Sequence, residues 1–208
     1  MLDKYIFKCI IIGDAGVGKS SLMANILNDG FVPVYTSTIG VEYGSFDALI
    51  NNKYNIKLQI WDTAGQETYH SITRCYYNKT SCVMIVFDIT NRKSFESIPY
   101  WIKKALDYCS ENISILLVGN KEDLSYRRTV TYNEAYEVAK YFNINYIEAS
   151  AKTGFKVYDS FNNIIHNVYS KLENGEIDPS DDSYGVRLLQ TKNRSNEVKE
   201  KKNCCTIL

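Results

Sequence analysis

The sequence predicts a three-layer α/β fold: a mostly parallel six-stranded sheet with one antiparallel edge strand and helices on both faces. Three observations predict it. Apolar runs of strand length alternate with stretches of helical periodicity through residues 1–172. The first run ends at Ile12 and opens directly into a glycine-rich octapeptide, Gly13-Asp14-Ala15-Gly16-Val17-Gly18-Lys19-Ser20, which leads into a helix-like stretch. Two later strand-like runs end in short polar segments, Asn120-Lys121-Glu122-Asp123 and Ser150-Ala151-Lys152. These sit at the carboxyl ends of strands, where open α/β sheets hold their ligands.

Taken in order, strands are expected near residues 5–12, 43–50, 55–60, 82–88, 113–119 and 145–148. Asn51-Asn52-Lys53 reads as a hairpin turn, which makes the second strand the antiparallel one. Helices are expected near 18–27, 99–109, 132–142 and 157–172, with a short irregular helix around 69–77. Pro99 fits only a first helical turn, so residues 94–97 are expected to form a separate turn before it. Thr131 and Glu134 stand at capping-box spacing ahead of the helix that follows.

At 208 residues the chain has room for one domain, residues 1–172, and a tail, residues 173–208. Its 24 basic and 24 acidic residues cancel, so nothing in the charge balance points to nucleic acid as a partner. No stretch approaches the ~20 apolar residues of a membrane span. The start, Met1-Leu2-Asp3-Lys4, has no signal-peptide regions, and Leu2 stands where myristoylation needs glycine. Cys9, Cys75, Cys82 and Cys109 are dispersed without metal-ligand spacing and read as thiols of a reducing compartment.

The octapeptide has the pattern of a phosphate-binding P-loop, in the strand–loop–helix context that loop requires. Glycines let successive backbone N–H groups turn inward around an anion, and the following helix aims its positive end at the same place. Lys19 is placed to reach the β- and γ-phosphates, and the Ser20 hydroxyl to bind Mg²⁺. Kinases, ATPases and GTPases share this loop, so other segments must choose the base. Asp123 is acceptor-only and suits the adjacent N1–H and 2-amino donors of guanine, a pair that adenine lacks. The Lys121 stem can lie over the base, Asn120 can tie its loop to the P-loop, and the Ala151 N–H can meet the guanine O6. Trp61-Asp62-Thr63-Ala64-Gly65-Gln66-Glu67 supplies the rest. Asp62 can support Mg²⁺ through water, Gly65 can offer its N–H to the γ-phosphate, and Gln66 can orient an attacking water.

Together, in this order and spacing, these segments resemble the Ras-superfamily small GTPases over residues 3–172. Within them the chain is similar to the Rab proteins, through Ile39-Gly40-Val41-Glu42-Tyr43-Gly44, Lys57-Leu58-Gln59-Ile60-Trp61, Ser71-Ile72-Thr73-Arg74-Cys75-Tyr76-Tyr77 and Asp88-Ile89-Thr90-Asn91-Arg92-Lys93-Ser94-Phe95. The resemblance implies a switch that binds GTP or GDP with Mg²⁺, hydrolyses GTP and recruits effectors in vesicle traffic. It implies nucleotide contacts from Asp14, Ala15, Gly16, Val17, Gly18, Lys19, Ser20, Ser21, Phe31, Thr38, Gly65, Asn120, Lys121, Asp123, Ser150, Ala151 and Lys152. Phe31 would pack across the guanine edge. Metal ligands would be Ser20 and Thr38, with Asp62, and the catalytic residue Gln66. Tyr43, Trp61 and Tyr76 match the aromatic cluster through which Rab proteins read the switch state. An exchange factor (GEF), a GAP, a GDI and Rab effectors are the implied protein partners. Tyr43 stands where phenylalanine is usual, and Thr68 and His70 where basic residues are frequent, so the effectors and exchange factor are left open.

After residue 172 an acidic stretch, Asp178 to Asp182, gives way to a basic end with few apolar residues, and residues 173–203 are expected to be disordered. Cys204-Cys205-Thr206-Ile207-Leu208 closes the chain. Cys205 opens a prenylation box, and the adjacent Cys204 allows a second lipid, which stable anchoring requires. The expected location is the cytoplasmic face of intracellular membranes, with cycling through the cytosol. Two other readings stay open: a nucleotide-locked module that recruits effectors without turnover, and a P-loop kinase of small molecules.

Overall fold

A computed structural model describes residues 3–27, 40–51, 53–63 and 75–189. Strand β1 (Asp3–Ile12) leads through the glycine loop into helix α1 (Lys19–Ile26). Strands β2 (Val41–Ile50) and β3 (Tyr54–Thr63) form the antiparallel hairpin. Then come β4 (Cys82–Asp88), a short α2 (Arg92–Glu96), α3 (Ile98–Tyr108), β5 (Ser114–Asn120), α4 (Tyr132–Tyr141), β6 (Asn145–Glu148) and α5 (Val157–Glu173). Strand order is β2-β3-β1-β4-β5-β6, with every neighbour pair from β3 onward parallel.

The central strands explain themselves. Every residue of β4 and β5 is buried, as a parallel strand covered on both faces demands, and their sequences are accordingly continuous apolar runs. β1 sends Phe7, Cys9 and Ile11 to one face and Ile10 and Ile12 to the other. One core packs α1 and α5 against the sheet, and the second packs α3 and α4 on the opposite face. The capping box of α4 is formed: the Glu134 N–H donates to Thr131 Oγ1 at 3.2 Å, and the Thr131 N–H donates to Glu134 Oε2 at 2.9 Å. Pro99 lies in the first turn of α3, as expected. The piece before it is a helix rather than a plain turn, because the Asn91 side chain accepts the Lys93 N–H at 3.2 Å and caps it.

Residues 174–189 depart from expectation. Disorder was expected over residues 173–203, yet residues 174–185 form hydrogen-bonded turns and β7 (Val186–Leu189) adds antiparallel to residues 4–7 of β1; residues 190–203 lie outside the described residues. The sheet therefore has seven strands and a second antiparallel contact. β1 starts six residues before its pairing with β4 begins at Cys9, which leaves a flank that β7 covers. Ile177 and Val186 are buried in the first core, and Tyr184 packs against it. The acidic residues between them are turn formers: Asp178 Oδ1 accepts the Ser180 N–H, and Asp181 Oδ1 the Ser183 N–H, both at 2.8 Å. A composition rich in Asp and Ser thus marks local turns here, and two isolated apolar residues hold the segment down.

Candidate functional site

The site lies at the carboxyl ends of β1, β3, β4, β5 and β6, and it is built mostly from backbone. Gly13 follows β1 with φ +140°, and a Cβ there would run into the Val86 carbonyl. Gly18 has φ +98°, and its Cβ would meet the side-chain nitrogen of Asn120. Only glycine lets the loop close this tightly against β4 and against the Asn120 side chain. Gly18 is also the N-cap of α1, where no side chain caps the first N–H groups and no acid occupies the first turn. The N–H groups of that first turn and the positive helix end form a receptor for an anion.

Lys19 sits inside this ring and is only 6% exposed. Its ammonium donates to the carbonyls of Gly13 and Asp14, both at 2.9 Å. Burial pushes its pKa below the usual lysine range, and the charges of Asp62 and Asp14 pull it partly back. A buried ammonium held chiefly by neutral carbonyls gains most from a multiply charged anion. The Asp14 carboxylate itself points elsewhere. It accepts from the Trp101 indole N–H at 2.8 Å and from the Ser97 hydroxyl at 3.0 Å, both near the start of α3. Asp14 therefore offers a phosphate its backbone alone, and its negative charge is drawn off to α3.

The Ser20 hydroxyl donates to Asp62 Oδ2 across the loop. Asp62 is the penultimate residue of β3 and is fully buried. A hydroxyl and a carboxylate, two hard oxygen ligands facing each other beside a phosphate cradle, suit Mg²⁺, which takes few protein ligands and keeps several waters. Ser20 would bind such an ion directly and Asp62 would orient its water.

Three loops distant in sequence are tied together beside the cradle. The Asn120 amide donates to the Val17 carbonyl at 2.8 Å, and its Oδ1 accepts the Ala151 N–H at 3.0 Å. Ala151 was expected to offer that N–H to a guanine O6; here it serves the loop-to-loop bond, so any base contact from it is a shared one. Lys121 has φ +68° and reaches over to the Gly16 carbonyl at 2.8 Å while pairing with Asp88 Oδ2 at 2.7 Å. Asp123 Oδ1 accepts the Ser150 hydroxyl at 2.6 Å, which orients the carboxylate and leaves its second oxygen for a ligand. Asn25 of α1 donates to the Ala151 carbonyl at 3.2 Å and steadies the third loop.

The structure thus brings together Asp14, Ala15, Gly16, Val17, Gly18, Lys19, Ser20, Asp62, Asn120, Lys121, Asp123, Ser150 and Ala151. Ser21 is half-buried on α1, and Lys152 is exposed on the turn beyond Ala151. Phe31, Thr38, Gly65 and Gln66 lie outside the described residues, as do Cys204 and Cys205. Sequence reasoning missed Asp88, Ser97 and Trp101. Asp88 ends an apolar strand, so its position was a signal; Trp101 on an amphipathic helix reads as core. A cleft of about 440 Å³ lined by Ile102, Leu106, Phe142 and Asn174 lies at the opposite end of the sheet and shares no residue with this rim.

A family model matches residues 8–170, which carry the second half of β1, all of β2 to β6 and the rim: it is that of the Ras family. By its fold, its phosphate cradle and this match, the chain belongs to the Ras family of small GTPases, which bind guanine nucleotides with Mg²⁺ and hydrolyse GTP.

Proposed function

We propose that this chain is a Rab-like switch. It recruits effectors in the GTP form on the cytoplasmic face of intracellular membranes and so directs vesicle traffic. One observation carries the reading. Tyr43 on β2 meets Trp61 on β3 edge-on at 5.2 Å, and Trp61 meets Tyr76 at 5.9 Å. Tyr43 is 50% exposed. The three rings join the β2–β3 hairpin to the end of the segment that follows Gln66. An aromatic surface shared by two segments flanking the γ-phosphate site changes shape when either moves, and it suits an effector. The ending Cys204-Cys205-Thr206-Ile207-Leu208 supports attachment by one or two prenyl chains, and such lipids require a GDI-like carrier in the cytosol.

Hydrolysis follows from the same residues. Lys19 and the N–H groups at the start of α1 hold the β- and γ-phosphates and draw off charge as it develops. Mg²⁺, when bound, would neutralise part of that charge. Ser20, with Thr38, would hold it, and Gln66 would orient the attacking water. Intrinsic turnover is expected on the order of 10⁻⁴ to 10⁻³ s⁻¹, the scale of Ras itself, with a GAP raising it by several orders of magnitude.

Single-turnover hydrolysis by purified chain tests the enzymatic reading. The expected result is slow, GAP-accelerated release of phosphate that Gln66→Leu abolishes. A Gln66→Leu chain hydrolysing at the wild-type rate would remove Gln66 from its role. A chain that holds GTP without turnover even with a GAP would be the nucleotide-locked module instead. Tagged chain with Cys204 and Cys205 replaced by serine is expected to leave membranes for the cytosol; unaltered membrane localisation would refute the lipid anchor.

A further inference from the structure

Lys8 stands where the tail strand, the sheet and the end of the Gln66–Tyr77 segment meet. Its N–H donates to the Gly185 carbonyl at 3.0 Å, at the head of β7. Its carbonyl accepts from the Ser81 N–H at 2.9 Å and the Ser81 hydroxyl at 2.8 Å. Its ammonium donates to the carbonyls of Tyr76 at 2.7 Å and Asn78 at 2.6 Å, and lies 5.6 Å from the centre of the Trp61 ring. One residue therefore holds the tail with its backbone and the aromatic cluster's neighbourhood with its side chain.

Gly185 closes the same turn from the other side. It has φ +66°, and a Cβ there would collide with the Lys79 carbonyl. Lys79 pairs with Asp182 at 3.4 Å, and Asp182 with Arg187 at 3.2 Å. The turn of residues 78–81 is thus clamped between Lys8 of β1 and the tail segment. Beyond Gly185, the alternation of an antiparallel ladder makes Ile6 and Arg187 a hydrogen-bonding pair. The clamp is thin: of β7 only Val186 is fully buried, and Arg187 and Leu189 face solvent. A strand held so lightly can leave without disturbing the core.

We infer that β7 is an intramolecular ligand of the sheet, and that its docking on β1 is coupled to the bound nucleotide through the turn of residues 78–81. The inference rests on the reading that residues 66–77 rearrange when the γ-phosphate is lost. The triphosphate favours Tyr76 and Asn78 where Lys8 holds them, so β7 docks more firmly in the GTP form. Coupling is reciprocal, so removing β7 weakens triphosphate binding relative to diphosphate by the same factor. Docking also sets reach. Residues 190–203 lie between β7 and Cys204 and span at most about 50 Å, against about 65 Å for residues 186–203 with β7 released.

Hydrogen exchange followed by mass spectrometry on the full chain, loaded with GDP or with a non-hydrolysable GTP analogue, tests this. Protection of residues 186–189 is expected to be at least about fivefold higher with the analogue, the lower end of ordinary allosteric couplings. Gly185→Val, which cannot adopt the turn, and Arg187→Pro, which lacks the ladder N–H, are each expected to remove that protection. Both should keep protection in β4 and β5 and lower the analogue-to-GDP affinity ratio by a similar factor. Equal protection in the two states would overturn the coupling while leaving nucleotide binding intact, and the wild-type comparison decides this whatever the variants do. Undocked variants with an unchanged affinity ratio would overturn it as well. A chain that holds neither nucleotide would remove the switch reading and the coupling with it.

Discussion

The two ends of the sheet are held by different means. At the carboxyl end, side chains bond onto backbone: the buried Asn120 ties Val17 to Ala151, Lys121 reaches over to Gly16, and the buried Lys19 holds Gly13 and Asp14 of its own loop. At the amino end, closure relies on the short β7 and two buried apolar side chains, Ile177 and Val186, with ion pairs left at the surface. The first end is organised around a polyanion and keeps buried charge ready for it. The second is a lightly packed seam. Rigidity and chemistry thus sit at one end, and freedom to open at the other.

Replacing Lys19 should show the contrast most strongly. Lys19→Met is expected to weaken guanine nucleotide binding about 100-fold or more, since it removes charge-assisted bonds to phosphate. The nucleotide-free chain should melt no lower, because a buried ammonium with depressed pKa is a cost to the fold. Calorimetry and thermal melts check the pair, and a large drop in the nucleotide-free melting temperature would make Lys19 structural.

Asn120→Ala comes next. It leaves the Val17 carbonyl and Ala151 N–H without their partner and should cost about 2–3 kcal/mol in urea unfolding, with faster nucleotide release. A stability change without faster release would separate the loop ties from the site. Ile177→Ala, at the other end, should cost about 2 kcal/mol, the low edge for a buried isoleucine, because the thin segment around it can collapse or open. Its nucleotide-loaded core strands should keep their exchange protection; loss of protection in β4 or β5 would mean the seam is part of the core.

The smallest effect belongs to Glu148, on β6 near the rim. Burial pushes its carboxyl pKa up, but the two-pronged contact from Arg128, at 2.6 and 2.8 Å, and the Tyr146 hydroxyl at 2.7 Å outweigh it and hold the value below the usual carboxylate range. A depressed folded-state pKa stabilises above the unfolded value and is lost as pH falls through the folded one. Glu148→Gln should therefore destabilise the chain at pH 7, and progressively less as pH falls through the carboxylate range, in urea unfolding. A gap that widens in acid would reverse the assignment.

The contrast also explains what could be read beforehand. The rim is spelled by residue types that only one chemistry needs: glycines where a Cβ would strike Val86 or Asn120, an Asn with two backbone duties, a carboxylate at a strand end. Its supports were less legible. Trp101 and Ser97 hold Asp14 from a helix more than eighty positions away, and nothing in an amphipathic pattern distinguishes a tryptophan that packs from one that also donates. The seam was illegible for another reason. Ile177 and Val186 are separated by turn-forming Asp, Pro and Ser residues, with no period to link them, so composition alone reads as a solvated linker. β1's excess length over its pairing with β4 shows only when the register is known.

The most direct test sets GDP against ADP on the purified, Mg²⁺-supplied chain in one titration. A rim whose Asp123 is held by Ser150, with an oxygen left for paired guanine donors, is expected to favour GDP by about 10⁴-fold or more. ADP bound within tenfold of GDP would contradict the account, because the cradle would then be reading phosphate alone.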